Sequence, residues 1–255
     1  MSSVREQLAP LARRSIARSI RQPILVIPSF IFPLYMLAVL AAAGGQVTKV
    51  PGFPTHSYLT FILGATLIMG ATGAMNAAGS AVASDIESGF LNRLQLTRIN
   101  GAALVAAQLA GVAVLGAVQS TLTLLVGLAG GASVETGVAG AVVIIPLVVL
   151  FVMAFGAVGV FVAVQTGSPT GVQSLSALGI ALLFMSSMAM PRNLISSNWF
   201  KDIATYNPAS YLVEAPRSLL VTGWDGQALG LGCAVAVVVL IVALAAAVVA
   251  MGRRL

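Results

Sequence analysis

The sequence predicts an all-α, polytopic membrane protein with six transmembrane helices, and three observations carry that prediction. The 255 residues are 58% hydrophobic and 8% charged, with a mean hydropathy of +1.01, a balance that soluble domains do not show. Six apolar runs, each near the roughly 20 residues needed to cross about 30 Å of hydrocarbon, are joined by short polar connections. The runs are apolar all round instead of alternating, so helices, not a barrel, satisfy their backbone groups in lipid. A single domain over residues 1–255 is expected.

Taken in order, residues 3–22 are too charged to span. Leu8, Ala12, Ile16 and Ile20 recur at helical spacing while Arg13, Arg14, Arg18 and Arg21 take other faces, which predicts a helix lying in the lipid interface. A cleaved signal peptide is the competing reading, but Pro23, Pro28 and Pro33 follow where a cleavage site would be needed. The first span runs over about Ile24–Ala43 and should be bent by its prolines. A Gly- and Pro-rich loop over 44–57 leads to a second span, about Tyr58–Ala83, whose Gly64, Gly70, Gly73 and Gly79 allow close helix packing.

A polar island follows, Ser84 to Arg98, holding four of the five charged residues between Lys49 and Arg192. Ser84 and Glu87 have the spacing of a capping box, which predicts a short helix starting there and ending at Asn100-Gly101. Ile86, Phe90, Leu91 and Leu94 share one face, with Asp85, Glu87, Asn92, Arg93 and Gln95 elsewhere, so the helix is amphipathic. The third span, about Ala102–Leu128, carries Gln108 and Gln119, each of which must find a partner inside the bundle or a water-filled path. The fourth covers about Val138–Val164, the fifth about Val172–Met190 before Pro191, and the sixth about Gln227–Gly252. Between the last two, residues 192–226 hold Trp199, Trp224, Tyr206 and Tyr211, aromatics that favour headgroup level.

Charge placement orients the chain. With both termini on one side, that side carries nine Lys and Arg residues and the other four, so the positive-inside rule puts the termini and the island in the cytoplasm and 192–226 outside. Eleven Arg against two Lys, amid abundant Ala, Gly and Val, points to a GC-rich bacterium and hence to a multi-pass plasma-membrane protein. The net charge of +6 records this topology and is no nucleic-acid footprint.

Chemistry of its own is missing. Lys49 precedes Val50 and Lys201 precedes Asp202, so no phosphate-cradling G-x-x-x-x-G-K-[ST] loop is present. Asp85, Glu87, Glu135, Asp202, Glu214 and Asp225 all lie outside the spans, where ion coupling would need carboxylates that cost about 3 kcal/mol each to bury. His56 and Cys233 are single, so neither a metal set nor a disulfide is expected, and no nucleophile–base pair is evident.

Two motifs resemble the permease subunit of type 2 ABC exporters, the drug-resistance, polysaccharide and lipid export family. Asp85-x-Glu87-x-Gly89-Phe90-x-x-Arg93-Leu94-x-x-Thr97 is similar to the E-x-E-x-G-T-x-E-x-L-x-x-T-P of its coupling helix, departing at Phe90, Asn92 and Arg98. Asn207-Pro208-x-x-Tyr211-x-x-Glu214-Ala215-x-Arg217 resembles the N-P-x-x-Y-x-x-E-A-x-R segment before the family's last span. The resemblance implies a coupling helix over 84–100 that docks on a separate ATPase subunit. It also implies an outer segment, 192–226, folded back into the membrane as re-entrant helices. Glu214 and Arg217 would there act in gating or in holding the fold. The competing reading makes them an i,i+3 surface pair, as Glu87 would be half of a cap. Pro216 departs from the motif and should split its helix. The partners so implied are a second permease copy, two ATPase subunits that bind the ATP, membrane lipid and a hydrophobic small-molecule or lipid substrate. No cofactor of the chain's own is implied. A polysaccharide exporter and a non-transporting scaffold or immunity protein are the alternatives.

Overall fold

The structure, a computed structural model, describes residues 23–89 and 101–254. The predicted interfacial helix at 3–22, and Phe90, Arg93, Leu94 and Thr97 of the island, lie outside these residues. Among those described there are eight α-helices and no strand: α1 Pro23–Ala43, α2 Tyr58–Glu87, α3 Gly101–Ala129, α4 Gly137–Thr166, α5 Pro169–Phe184, α6 Asn198–Tyr206, α7 Pro208–Val221 and α8 Gly226–Gly252. Five helical segments are long and apolar enough to cross a membrane; α5, apolar but of 16 residues, is a sixth and shorter one.

Four of the helices begin where a side chain accepts from their first free N–H groups. Ser57 caps α2 through Thr60 N, Ser168 caps α5 through Thr170 N ahead of Pro169, Asn207 caps α7 through Ala209 N ahead of Pro208, and Asp225 caps α8 through Gln227 N and Ala228 N. Pro at the first helical position costs nothing there, since its missing N–H would be unpaired anyway.

At the centre stands α2, buried over almost all of Tyr58–Ala83 and packed against α1, α3, α4, α5 and α7. Small residues set the contacts. A Cβ on Gly159 of α4 would sit 2.2 Å from the Met75 carbonyl of α2, and one on Gly232 of α8 would sit 2.9 Å from the Tyr211 carbonyl of α7. Without a hydrophobic drive between helices in lipid, such close backbone approach is what gives them dispersion energy to associate. The outside of the bundle is apolar in turn: Leu125, Val138, Val142, Val238, Ile241 and Val242 are each more than half exposed.

Three expectations about elements need correction. No new helix starts at Ser84. Instead α2 continues to Glu87, because the N–H groups a capping box would serve are already bonded within the helix, and Ser84 itself accepts from Ser88 N through its carbonyl. The helix ends at Gly89, whose φ of +69° is the left-handed conformation that closes a helix C-terminus. The fifth span stops at Phe184, six residues early, for a reason that lies in α7. Pro216 does not split α7, which runs unbroken with ten buried residues, Pro216 among them. Packing on both flanks outweighs the lost bond.

Candidate functional site

The residues Asn207, Ser210, Tyr211, Glu214 and Arg217 recur every three or four positions and so share one side of α7. That side faces the chain between α5 and α6, where the backbone has left the α-helix and the regular i to i−4 bonding no longer serves its polar groups. The α7 side chains supply partners. Asn207 Nδ2 donates to Leu182 O at 2.7 Å, serving a last-turn carbonyl of α5. Ser187 N donates to Ser210 Oγ at 3.0 Å. Arg217, 6% exposed, donates from Nη1 to Ser187 O (2.8 Å), from Nη2 to Met188 O (2.7 Å) and from Nε to Phe61 O (3.2 Å). From α2, Tyr58 Oη donates to Ala189 O at 2.9 Å. Backbone that would cost several kcal/mol if left bare in lipid is thus paired by protein, and α5 is free to stop early.

Arg217 is held on its remaining sides by the Phe61 ring, 3.8 Å from the guanidinium carbon, and by Gly64, where a Cβ would lie 2.9 Å from the Arg217 Cβ. Glu214 does not bond Arg217. Its Oε2 accepts from Arg192 Nη2 at 2.7 Å and its Oε1 from Ser187 Oγ at 2.8 Å, while the Arg192 guanidinium lies 4.5 Å over the Tyr211 ring. The i,i+3 pairing expected from spacing therefore gives way to partners 22 and 27 residues away in the chain. Both charges of the Arg192–Glu214 pair are partly exposed, at 21% and 29%.

The geometry makes α6 and α7 a hairpin with its apex at Asn207-Pro208. The apex bonds Leu182 of α5 and shares a cavity with Met75 of α2 and Val239 of α8. Met75 lies about 25 Å along α2 from Tyr58, so the apex reaches midway down the bundle. At its other end α7 is fastened to the α3–α4 turn, whose Glu135 N and Thr136 N donate to the Leu220 and Leu219 carbonyls. Tyr211 is folded inside the hairpin with Oη donating to Thr205 O, Tyr206 stands at the apex, 85% exposed, and Trp199 and Trp224 stay at the hairpin's far ends.

Asp85, Glu87 and Gly89 end α2 at the opposite pole, beside the α4–α5 turn and the C-terminal end: Gly167 lies near Ile86 and Arg254, and Arg254 Nη2 donates to Gln165 O at 3.4 Å. Of the two intramembrane amides, Gln108 Nε2 reaches Ala78 O at 3.5 Å, but Gln119 Nε2, buried against Gly70, has no hydrogen-bond partner among the described residues. Tyr58, Ser187, Ser210 and Arg192 escaped the sequence reading. The doublet Ser186-Ser187 inside an apolar run was the signal that the fifth helix would be interrupted.

A bundle of apolar helices, most of them long enough to cross a membrane, with a polar-latched hairpin packed into it, is a membrane-embedded architecture. Residues 6–221 match the ABC-2 type transporter family across both motifs, and the chain belongs to that family. A comparison with curated proteins finds no match. Permeases of this family work with ABC ATPase partners.

Proposed function

We propose that this chain is the transmembrane subunit of an ATP-driven exporter that moves a hydrophobic small molecule or a lipid out of the cytoplasm or inner leaflet. It pairs with a second copy of itself and with two separate ATPase subunits, in a bacterial plasma membrane with both termini in the cytoplasm. The single observation that carries the reading is α2. One rigid helix joins the island, at Asp85 and Glu87, to the latched hairpin, at Phe61 and Gly64, over about 39 Å of helix rise from Phe61 to Glu87. A push on the island is delivered to the Arg217 latch without an intervening hinge. Phe90, Arg93, Leu94 and Thr97 continue the chain beyond Gly89 and supply the apolar and charged surface for an ATPase to grip. Among the described elements the α6 helix packs against α7 and the Arg192–Leu194 turn alone, and it leaves Lys201 and Asp202 exposed. Charges there suit a water-filled space against a second copy better than lipid.

Two measurements test this. Affinity purification from native membranes should bring down a soluble ATPase in stoichiometric amount. A Phe90→Asp, Leu94→Asp variant should still insert, yet lose transport-linked ATP hydrolysis. Unchanged transport in that variant would overturn the coupling role, and purification of the chain without any ATPase would favour a scaffold.

A further inference from the structure

Under the apex of the hairpin lies a cavity of about 210 Å³. Its floor is Met75 of α2 and Phe151 of α4, its walls Leu182 of α5 and Val239 of α8, and its roof Pro208 and Leu212 of α7. No Cα of α5 comes within 8 Å of one in α8. The two walls therefore stand apart, with the cavity between them beside the hairpin apex.

Its chemistry is one-sided. Asn207 is the only residue of its lining with a polar side chain, and each end of that amide already has a protein partner, Nδ2 donating to Leu182 O and Oδ1 accepting from Ala209 N. A ligand placing a hydroxyl, amide or charge there would leave it unpaired in an apolar wall. Water gains nothing either, since a water needs two or more polar partners to be held. Hydrocarbon fits, and at this depth the surrounding bilayer supplies it as acyl chain. We propose that the cavity holds one acyl chain, entered between α5 and α8, and that this chain braces the hairpin apex from below. The inference rests on the chain's place in a bilayer and is independent of ATP coupling.

The test is photolabelling of the full chain in vesicles of a phosphatidylcholine with a diazirine at mid-chain, and in parallel with a free diazirine fatty acid. Adducts mapped by mass spectrometry should be several-fold denser on Met75, Leu182 and Val239 than on Val238, Ile241 and Val242, although those three are freely exposed to lipid. A Cβ on Gly179 would make only ordinary contacts, with Met75 and Thr72 at 3.7 Å, so Gly179→Phe should fill the space and abolish the excess while the surface adducts persist. Leu182→Trp is the second filling variant. Excess labelling by the phospholipid identifies a bilayer lipid, and by the fatty acid alone a single-chain amphiphile; either supports the site. Adducts that simply follow exposure, or an excess that survives both filling variants, would overturn it. ATPase capture does not enter, so failure here leaves the export reading untouched, and the reverse.

Discussion

Arg217 is a buried cation whose charge is dispersed over three main-chain carbonyls and an aromatic face, with no carboxylate bonded to it. A planar guanidinium spreads five donors over three nitrogens and so reaches carbonyls of two separate segments, whereas an ammonium offers its three donors at a single atom. Arg217→Gln, with two donors on one nitrogen, strands at least one of those carbonyls, at about 1–3 kcal/mol, and Arg217→Lys should recover only part. Glu214→Gln removes a partly exposed pair with Arg192 worth about 1 kcal/mol or less together with an acceptor for Ser187. The double variant Glu214→Gln, Arg217→Gln is therefore expected to be at least as unstable as Arg217→Gln alone. Thermal unfolding in detergent checks the order. Recovery of the double variant toward wild type would mean that the two charges neutralise each other after all.

At the scale of elements, the packing of α2 against α4 rests on a missing Cβ. Gly159→Ala drives a methyl into the Met75 carbonyl, and neither helix backbone can move aside without opening the α2–α4 seam. A loss of about 1–3 kcal/mol is expected. Gly230, exposed on α8 with nothing within 4 Å of an added Cβ, is the converse case. There Gly230→Ala should stabilise, by about 0.5–1 kcal/mol, through helix propensity alone. Paired melting curves read both signs in one experiment, and a neutral Gly159→Ala would show that the seam is looser than its geometry. The α6–α7 hairpin follows the same logic, since its position is set by what it satisfies in the broken end of α5.

The whole molecule has two poles. Asp85, Glu87, the α4–α5 turn and Arg254 gather at one, and the hairpin's far ends with the α3–α4 turn at the other. On the positive-inside rule the Lys and Arg asymmetry would put the first in the cytoplasm, as the proposed function requires. Cysteines at Ser88 and Ser196, both exposed, in a Cys233→Ser background give the check. An impermeant maleimide applied to intact cells should modify position 196 and spare position 88, and modification of 88 from outside would invert the orientation. Such an inversion would also move the island away from any cytoplasmic ATPase, so the experiment bears on coupling as well as on topology.

What the amino-acid sequence determined by itself was the set of apolar helices and, within a few residues, the start of each. These depend on quantities summed locally along the chain, the transfer of side chains into hydrocarbon and the pairing of a helix's first N–H groups. Four matters were decided only by tertiary structure. The S-x-x-E at Ser84 read as a helix start but lies inside α2, because the pattern does not say whether the N–H groups it would cap are already bonded. Pro216 read as a break, and burial kept α7 whole. The fifth span read to Met190 and stops at Phe184, and Glu214 read as the partner of Arg217 and bonds Arg192. The last two share a cause: the partners of a broken helix end are chosen among all groups the fold brings near, and one of them, Phe61, lies 156 residues from the Arg217 it binds. No local window contains both.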